Sequence, residues 1–531
     1  MSLFSKIFSN NDSHKILTEV EKLIDNKNYD EAVVKLSDIL TKDNLNKKAN
    51  YLLGIAYYKT EKYDKCEDYF KFASDEFPNS NYYLGTIFSK NKDYKRAISY
   101  LENFTKNNND TTVLEELGWN YLKNNDLQKV LILSDKLKSI RGDISSAYLL
   151  AAEAYIAEKN YKKAVIEINK LLEYDLENDH AYLLRGKAKT FLKEIEKAIE
   201  DFKSAITINK ENVEANFYLG FCYSSLKDYY KSIKHLDEAL SKEKYKPALE
   251  LRSEIKLVID DPDAALSDIE TLVKLNPNST KYLIRSSELK LRLYDLAGSK
   301  EDLEKVLKVD SENINALYMI SKLEFNEKKF KNVIKYLTRA TAIKLDADIL
   351  QLRGRAFYHL KDFQSASKDL SKAIDNNPEL YSAFYFRAKV KEELKDNYGA
   401  ITDYTKALND PKFIDAYYSR GKLRLALKEY NAASKDFSKA ILLKNNEAVY
   451  YYLRAQCYNG MERTFEAVED LDKAISINNK FVQAYLLRGI IGLSNRSFSK
   501  AKSDFEKVVS LDNRYQNHVA KYLHLIEEKF N

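Results

Sequence analysis

A segment of 33 or 34 residues recurs along the chain, and this repetition constrains the fold more than any other feature of the sequence. The stretch YLLGIAYYKTEKYDKCEDYFKFA from Tyr51 matches FYLGFCYSSLKDYYKSIKHLDEA from Phe217 and QLRGRAFYHLKDFQSASKDLSKA from Gln351. Each stretch holds a small residue, another twelve residues later and a third seven residues after that. Aligned on these small residues, fifteen repeats begin near residues 13, 47, 78, 111, 145, 179, 213, 246, 279, 314, 347, 381, 414, 448 and 482. A chain with such a period folds by stacking one small unit on the next.

The composition indicates helices joined by short connections. The 531 residues include only 13 Gly and 6 Pro, far fewer than a β-rich protein or a multidomain enzyme uses in its turns. The 40 Tyr and 24 Phe supply enough apolar surface to exclude disorder as the main state. The 3 Cys are too few for a disulfide scaffold, and they fit a reducing compartment.

No segment predicts a membrane span or a secretory signal. The longest aliphatic run extends only from Val130 to Leu133, whereas a transmembrane helix needs about 20 apolar residues. The opening MSLFSKIFSNNDSHK has no continuous apolar core and no small-residue cleavage site. We therefore expect a cytoplasmic protein.

Small residues recur at the eighth position of the repeats and, in most of them, at the twentieth and twenty-seventh positions. The eighth position is small in every repeat but the first, which has Val20. Small side chains are needed where two helices approach closely, because larger ones would overpack the contact. Pro78, Pro277 and Pro378 fall at the thirty-second position, where proline ends a second helix. This pattern resembles the tetratricopeptide repeat family, whose unit is a helix–turn–helix of 34 residues.

The resemblance implies an all-α fold, a right-handed superhelical α-solenoid of about fifteen helix–turn–helix repeats plus a C-terminal capping helix. The expected segments are an N-terminal tail (1–12), repeats 1–7 (13–245), repeats 8–15 (246–514) and the capping helix (515–531). Repeats 8 and 9 are the least regular, and repeat 9 is expected to carry one extra residue in its turn. A hinge at this point and uninterrupted stacking are both compatible with the sequence.

Both ends carry apolar residues at helical spacing. In the tail these are Leu3, Phe4, Ile7 and Phe8. They predict either a staple against the first repeat or an anchor for a membrane or a partner. Near the C-terminus one apolar stripe comprises Val519, Tyr522, Leu523, Ile526 and Phe530. Repeat arrays cover their last exposed face with such a helix.

Arginine at the seventh position of a repeat coincides with aspartate sixteen residues later. The pairs are Arg185 and Asp201, Arg252 and Asp268, Arg285 and Asp302 (seventeen residues apart), Arg353 and Asp369, Arg387 and Asp403, Arg420 and Asp436, Arg454 and Asp470, and Arg488 and Asp504. Repeat 1 reverses the charges with Glu19 and Lys35. An arginine row that binds a ligand would have no reason to follow an aspartate row. The pattern therefore favours ion pairs between the two helices of each repeat.

In the family that this chain resembles, the first helices line a concave groove, with positions two, five, nine, twelve and thirteen facing it. In repeats 10 to 14 the fifth position is mostly Tyr and the ninth is mostly cationic. The candidate partner-binding residues are Tyr318, Lys322, Arg355, Tyr385, Lys389, Tyr418, Lys422 and Tyr452. The charge balance agrees, because residues 351–500 hold 25 Lys and Arg against 18 Asp and Glu while the whole chain has a net charge of only +6.

These residues predict a groove for an extended or helical acidic peptide. Tyrosine offers flat contact area at low entropic cost, and lysine and arginine supply electrostatic attraction. The alternative is an ordinary solvated surface, because Tyr and Lys are common throughout this sequence. The family also contains a carboxylate clamp that needs Lys at the fifth position. No repeat here has Lys at that position, so we do not expect binding to chaperone C-termini.

The N-terminal repeats offer a second, apolar candidate. Tyr182, Phe217 and Phe221 occupy groove positions or their neighbours, and Trp119, the only tryptophan, is at a ninth position. They could form an anchor pocket for a partner. They could equally belong to the core between repeats.

Catalytic chemistry is not indicated by any motif. The six histidines form no pair with metal-ligand spacing, and there is no glycine-rich phosphate loop. Cys66, Cys222 and Cys457 replace small residues of the repeat pattern, so each is interpreted as a small buried side chain. We predict no catalytic, metal or cofactor site.

The sequence therefore favours a non-catalytic scaffold or adaptor that binds peptide or helical segments of protein partners in its concave groove, with acidic segments expected at repeats 10 to 14. Two other functions remain compatible with it. One is an RNA-binding helical-repeat protein, which the modest net charge and the repeat period disfavour. The other is the regulatory subunit of a separate enzyme.

Overall fold

The structure, a computed structural model, describes residues 3–106 and 108–530, and the side chains of residues 14–106 and 108–528. Every regular element in these residues is helical. The first sixteen helices are α1 (Leu3–Asp25), α2 (Tyr29–Lys42), α3 (Lys47–Lys59), α4 (Tyr63–Ala73), α5 (Asn79–Lys90), α6 (Tyr94–Thr105), α7 (Thr111–Lys123), α8 (Leu127–Ile140), α9 (Ser145–Ala157), α10 (Tyr161–Leu171), α11 (Asp179–Phe191), α12 (Ile195–Ile208), α13 (Val213–Ser225), α14 (Tyr229–Lys242), α15 (Lys246–Val258) and α16 (Pro262–Leu275). The others are α17 (Thr280–Arg292), α18 (Leu296–Val309), α19 (Ile314–Asn326), α20 (Phe330–Ile343), α21 (Ala347–His359), α22 (Phe363–Asn376), α23 (Tyr381–Glu393), α24 (Asn397–Ala407), α25 (Ile414–Ala426), α26 (Tyr430–Leu443), α27 (Ala448–Gly460), α28 (Thr464–Ile477), α29 (Val482–Ser494), α30 (Phe498–Leu511) and α31 (Gln516–Phe530).

The first thirty helices follow the fifteen predicted repeats in order, and the two helices pack on each other in fourteen of these repeats, from α1 and α2 to α13 and α14 and from α17 and α18 to α29 and α30. Twelve of the fifteen first helices begin at the residue that the repeat pattern predicts. The differences are α1, which begins at Leu3 rather than near residue 13, and α5 and α17, which begin one residue late. The side chains of the expected N-terminal tail lie outside the described residues.

Each repeat turns between its two helices through one residue in the left-handed backbone region. In repeat 11 this residue is Lys361, with φ of 62°. The N–H of Asp362 donates to the carbonyl of Phe357 at 3.0 Å, which closes the end of α21. The side chain of Asp362 then accepts the N–H of Ser365 and begins α22. The left-handed turn residue recurs in all fifteen repeats, whereas a side-chain cap such as that of Asp362 forms in only some of them.

The eighth position holds a small residue because a large side chain of the second helix packs directly against it. A Cβ atom added to Gly186 would lie 2.6 Å from the ring of Phe202, and one added to Gly354 would lie 2.9 Å from Leu370. Phe202 and Leu370 are fully buried. The small residues thus mark the close helix contacts that the sequence predicts.

The row of Arg–Asp ion pairs is confirmed in seven repeats. These pairs are Arg185–Asp201, Arg252–Asp268, Arg353–Asp369, Arg387–Asp403, Arg420–Asp436, Arg454–Asp470 and Arg488–Asp504. The reversed pair of repeat 1 also forms, with Lys35 Nζ 2.6 Å from Glu19. Each aspartate of the row is almost completely buried, so these bonds fix the second helix against the first.

The predicted pair of Arg285 and Asp302 is wrong. Arg285 bonds to Glu288 on its own helix at 3.1 Å, and Asp302 instead accepts the hydroxyl of Ser286 at 2.7 Å, sixteen residues away. Repeat 9 therefore begins at residue 280, and the extra residue precedes its first helix instead of lengthening its turn. Tyr294, the left-handed turn residue, agrees with this register. The slip arose because Ser286 and Ser287 are both small enough for the eighth position.

The predicted capping helix is present as α31. Val519 and Ile526 are buried, and Tyr522 stacks on Phe505 of repeat 15 with ring centroids 5.2 Å apart. Lys521, Glu527 and Glu528, which lie off the apolar stripe, are exposed. The side chain of Phe530 lies outside the described residues.

The chain divides into two compact units between Asp268 and Ile269, inside α16. Within each unit the buried clusters join one repeat to the next. One such cluster contains Leu350 and Leu370 of repeat 11 with Ala383 and Val390 of repeat 12. The expected boundary between residues 245 and 246 stays a prediction. None of the described helices is long and apolar enough to cross a bilayer.

Candidate functional site

The candidate site lies in the second unit, on the first helices of repeats 10 to 14. Within this unit α19 contacts α21, α21 contacts α23, and α25 contacts α27. First helices of neighbouring repeats therefore touch one another directly. We call the faces that carry their fifth and ninth positions the inner faces. All eight sequence-predicted site residues lie on these helices.

The tyrosine row is half-buried, and three of its rings pack against aromatic side chains that lie on the next first helix or just before it. The ring of Tyr385 lies 4.9 Å from that of Phe413, and the ring of Tyr452 lies 5.0 Å from that of Phe481. Tyr418 similarly packs against Tyr450 at 5.5 Å. These rings form a floor between repeats and leave only part of their surface to a ligand.

Burial governs the acidity of three of these tyrosines. It raises the pKa of the Tyr318, Tyr385 and Tyr452 hydroxyls above the usual value near 10. They therefore stay neutral at physiological pH and can donate hydrogen bonds. Gln456 donates to the hydroxyl of Tyr452 at 3.0 Å, so that oxygen already has one partner.

The lysines at the ninth position lie over aromatic rings. Lys322 Nζ is 5.6 Å from the centroid of Tyr318, and Lys422 Nζ is 5.4 Å from that of Tyr418. Lys389 is shared between two rings, with its Nζ 5.4 Å from Tyr358 and 5.8 Å from Tyr385. Such contacts hold the ammonium groups above the aromatic floor.

Arg355 occupies the ninth position of repeat 11 and is enclosed between two phenyl rings. Its guanidinium carbon is 4.8 Å from the centroid of Phe325 on α19 and 4.4 Å from that of Phe386 on α23. Burial lowers the pKa of this guanidinium. Its Nε is buried and has no hydrogen-bond partner. The side chain thus links three repeats by stacking alone.

None of these four cations has a carboxylate partner among the residues that the structure describes. They are Lys322, Arg355, Lys389 and Lys422. Seven arginines at the seventh position of their repeats, by contrast, are paired with aspartate. The ninth-position cations form a central row along the inner faces, which we call the cation row.

Acidic residues flank the cation row and do not enter it. Asp348 and Asp415 are exposed at the N-terminal ends of α21 and α25, and Glu393 is exposed at the C-terminal end of α23. The carboxylate of Glu392 accepts the hydroxyl of Tyr404. These acidic residues lie near the helix ends, away from the ninth positions that carry the cation row.

Sequence reasoning missed the two phenylalanines beside Arg355. Phe325 and Phe386 come from the repeats before and after it, at the twelfth and sixth positions. Because the twelfth position was expected to face the groove, Phe325 could have been predicted to lie near the site. Phe386 could not have been predicted in this way, because the sixth position is not among the positions expected to face the groove.

The apolar candidate in the first unit is largely part of the core. Phe217 packs edge-on against Tyr218 and Tyr245, and Tyr182 packs against the buried clusters of repeats 5 to 7. Trp119 is half-buried against the cluster around Leu117. Phe221 is the most open of the four, with 39% of its surface exposed.

The three cysteines are buried, as the repeat pattern predicts. Burial raises the pKa of Cys66 and of Cys457 to about 12 and also raises that of Cys222. The thiolate form is therefore disfavoured at all three positions. Among the described residues no three His, Cys, Asp or Glu side chains converge in a way that could hold a metal ion.

Family comparison agrees with the repeat geometry. One tetratricopeptide repeat model matches residues 23–85. A second tetratricopeptide repeat model matches residues 145–178, 179–212, 347–380, 414–447 and 448–481. These segments of the chain are tetratricopeptide repeats. Two of the matched segments, 347–380 and 414–447, carry Arg355 and Lys422. Tetratricopeptide repeats support a role as a protein-interaction scaffold in general.

Solved structures with similar helical arrays are distant from this tetratricopeptide repeat protein. A chain in a structure of Naa15/Naa10 bound to HypK-THB is 13% identical, with 98% of this chain and 97% of that chain covered and a TM-score of 0.35. Yeast Tom70 is 16% identical, with coverage of 86% and 96% and a TM-score of 0.29. A tetratricopeptide repeat protein from Parabacteroides merdae is 22% identical, with coverage of 47% and 98% and a TM-score of 0.34. No curated protein matches the chain at a significant level. Such distant similarities transfer no function.

Proposed function

We propose that this protein is a non-catalytic scaffold that binds an acidic segment of a partner protein, extended or helical, along the inner faces of repeats 10 to 14. The observation that carries the proposal is the cation row. Its four members lie on successive first helices and have no carboxylate partner among the described residues. We place this binding function in the cytoplasm, as the sequence analysis predicts.

The neighbouring arginines make this absence informative. Arg353 and Arg355 lie on the same helix, yet only Arg353 bonds to an aspartate, through its Nε at 2.6 Å from Asp369. The repeat therefore supplies a buried carboxylate where a cation has a structural role. A cation row without such carboxylates leaves its charge available to a ligand.

The charge distribution supports the same surface. Residues 351–500 hold seven more basic than acidic residues, whereas the rest of the chain is close to neutral. A positive strip attracts an acidic segment before contact and so raises the association rate. The half-buried aromatic floor beneath the strip then supplies apolar contact for the stems of the bound side chains.

The proposal is tested by identifying the proteins that co-purify with the tagged chain from its native host after nuclease treatment. The groove variant carries Lys322→Glu, Arg355→Glu, Lys389→Glu and Lys422→Glu together. The matched control carries Lys335→Glu, Lys372→Glu, Lys406→Glu and Lys439→Glu, which change the charge equally on exposed positions of the second helices. Circular dichroism checks that both variants remain helical.

We expect one or more partners to be lost from the groove variant and kept by the control. Each lost partner should contain a segment rich in Asp and Glu. Retention of every partner by the groove variant would contradict the proposal. Partners that disappear on nuclease treatment in the wild type would instead indicate binding through nucleic acid.

A further inference from the structure

Arg355 differs from the other members of the cation row in its surroundings. Its guanidinium is half-buried between Phe325 and Phe386, whereas Lys322 and Lys422 are exposed. A charge withdrawn from water is costly unless it is paired and hydrogen-bonded. Cation–π contact with two rings offsets part of this cost, but it satisfies none of the guanidinium's N–H donors.

We propose that Arg355 is the anchor of the groove and that its guanidinium binds one carboxylate group of the acidic segment in a bidentate manner. This inference rests on the proposed function and assigns its central contact. The two phenyl rings fix the plane of the guanidinium before the ligand arrives. A planar fork held in this way matches the two oxygens of a carboxylate, and little side-chain freedom is lost on binding.

The groups around Arg355 do not neutralise its charge. His359, one helical turn further along α21, stacks on Phe330 with ring centroids 4.6 Å apart. Burial, with the positive charges of Arg355 and Lys389, lowers the pKa of His359. The ring of Tyr318 is also close enough to interact electrostatically with the guanidinium. The carboxylates of Asp348 and Asp346, at the start of α21, interact electrostatically with Tyr318 and make no bond to Arg355.

The competing interpretation is that Arg355 is only a packing element between three repeats. The two interpretations differ in what the positive charge does. An anchor needs the guanidinium for binding and not for folding, whereas a packing element needs only its bulk. Arg355→Met keeps a long, flexible apolar side chain that can fill the space between the rings and removes the charge. Arg355→Lys keeps the charge and removes the planar fork.

The experiment measures fluorescence anisotropy of labelled peptides with the full-length protein. The probes are AEELAEELAEEL, its isostere AQQLAQQLAQQL and a peptide with phosphoserine in place of each glutamate. The protein variants are Arg355→Met, Arg355→Lys, the fourfold groove variant and Lys422→Met, a matched loss of one exposed cation from the same row.

We expect the glutamate peptide to bind the wild type more tightly than its isostere. Arg355→Met and Arg355→Lys should each weaken this binding about tenfold or more, as hot-spot arginines do, while Lys422→Met weakens it about threefold. Equal binding by wild type and Arg355→Met, with loss in the fourfold variant, would overturn the anchor and leave the proposed function standing. Full binding by the fourfold variant, or no preference for glutamate over glutamine, would overturn both. Binding of the phosphoserine peptide alone would overturn the assignment to a carboxylate.

Discussion

Arg353 and Arg355 lie two residues apart on α21, but only Arg353 is paired with a carboxylate, whereas Arg355 lies between two phenyl rings. Arg353 donates two hydrogen bonds to Asp369, at 2.6 and 2.8 Å, and its third nitrogen reaches Thr341 in the preceding repeat at 2.6 Å. Arg355 makes none of these bonds and stacks between two phenyl rings. The repeat thus separates a cation that holds its two helices together from one on the inner face that has no carboxylate partner.

This contrast predicts different effects on stability. Arg353→Met leaves Asp369 buried without its partner and should destabilise repeat 11 by about 3 kcal/mol. Arg355→Met removes a half-buried charge that has no carboxylate partner, so it should change the stability by less than about 0.5 kcal/mol or raise it. Hydrogen exchange of α21 and α22 measures both changes locally, because each repeat is stabilised mainly by itself and its neighbours. Equal destabilisation by the two variants would show that Arg355 is a structural residue.

The register of repeat 9 predicts a second contrast between arginines. Arg285 is exposed and bonded only within its helix, so Arg285→Ala should change the stability by less than about 0.5 kcal/mol. Arg252→Ala removes the bonds to Asp268, which is 2% exposed, although Lys256 remains 2.9 Å from that carboxylate. We expect a loss of about 2 kcal/mol. Thermal melting followed by circular dichroism compares the variants, and a large loss for Arg285→Ala would restore the register that begins at residue 279.

The close helix contact at Gly186 predicts overpacking. Gly186→Ala places a methyl group against the buried ring of Phe202 and should destabilise repeat 6 by about 1 to 3 kcal/mol, despite the better helix propensity of alanine. A Cβ atom at Gly142 would meet nothing within 4 Å, so Gly142→Ala is the control and should be neutral or slightly stabilising. Melting temperatures of the two variants distinguish the cases. A neutral Gly186→Ala would mean that the helices can separate at this contact.

We expect the carboxyl group of Glu116 on α7 to make the free energy of unfolding depend on pH. Burial raises the pKa of this carboxyl to about 7, and the nearby Lys90 offsets only part of that effect. Between the unfolded pKa near 4.5 and the folded value, the folded protein retains a proton that the unfolded chain has released. The stability due to this group therefore falls as the pH rises through that window and is lowest above pH 7.

The variant Glu116→Gln keeps the shape of the side chain and removes its ionisation. Its melting temperature should exceed that of the wild type at pH 8 and should approach the wild-type value at pH 5. Glu466→Gln serves as the control of opposite sign, because a hydrogen bond from Arg463 lowers the pKa of Glu466. An identical difference between wild type and Glu116→Gln at both pH values would contradict the assignment.

Much of the fold could be predicted from the sequence because the contacts within a repeat depend on residue types at fixed positions of that same repeat. Small residues at the eighth position must face a large residue on the second helix, as Gly186 faces Phe202. The position-seven arginine also identifies its own partner sixteen residues later. The rules failed at repeat 9, where Arg285 and Ser286 are adjacent and a shift of one residue still placed a small side chain in the eighth position.

The candidate site was less predictable because it depends on contacts between residues far apart along the chain, at the end of the same repeat or in neighbouring repeats. The tyrosines were expected to be an open surface, yet Phe413 and Phe481, which precede α25 and α29, cover part of Tyr385 and Tyr452. The isolation of Arg355 is also invisible in one repeat, since it requires that no acidic side chain of three repeats reaches it. Spacing along one helix carries no information about such an absence.

The most direct test of the central claim is photocrosslinking in the native host from a residue beside the cation row. Gln456→benzoylphenylalanine places the crosslinker at the ninth position of repeat 14 without removing a cation. Lys439→benzoylphenylalanine places it on the exposed side of α26 as the control. Mass spectrometry of the adducts identifies the partner segment. The account predicts crosslinks from position 456 to a segment rich in Asp and Glu, absent from position 439 and lost in the fourfold groove variant. Crosslinks from position 456 to segments without excess negative charge would contradict it.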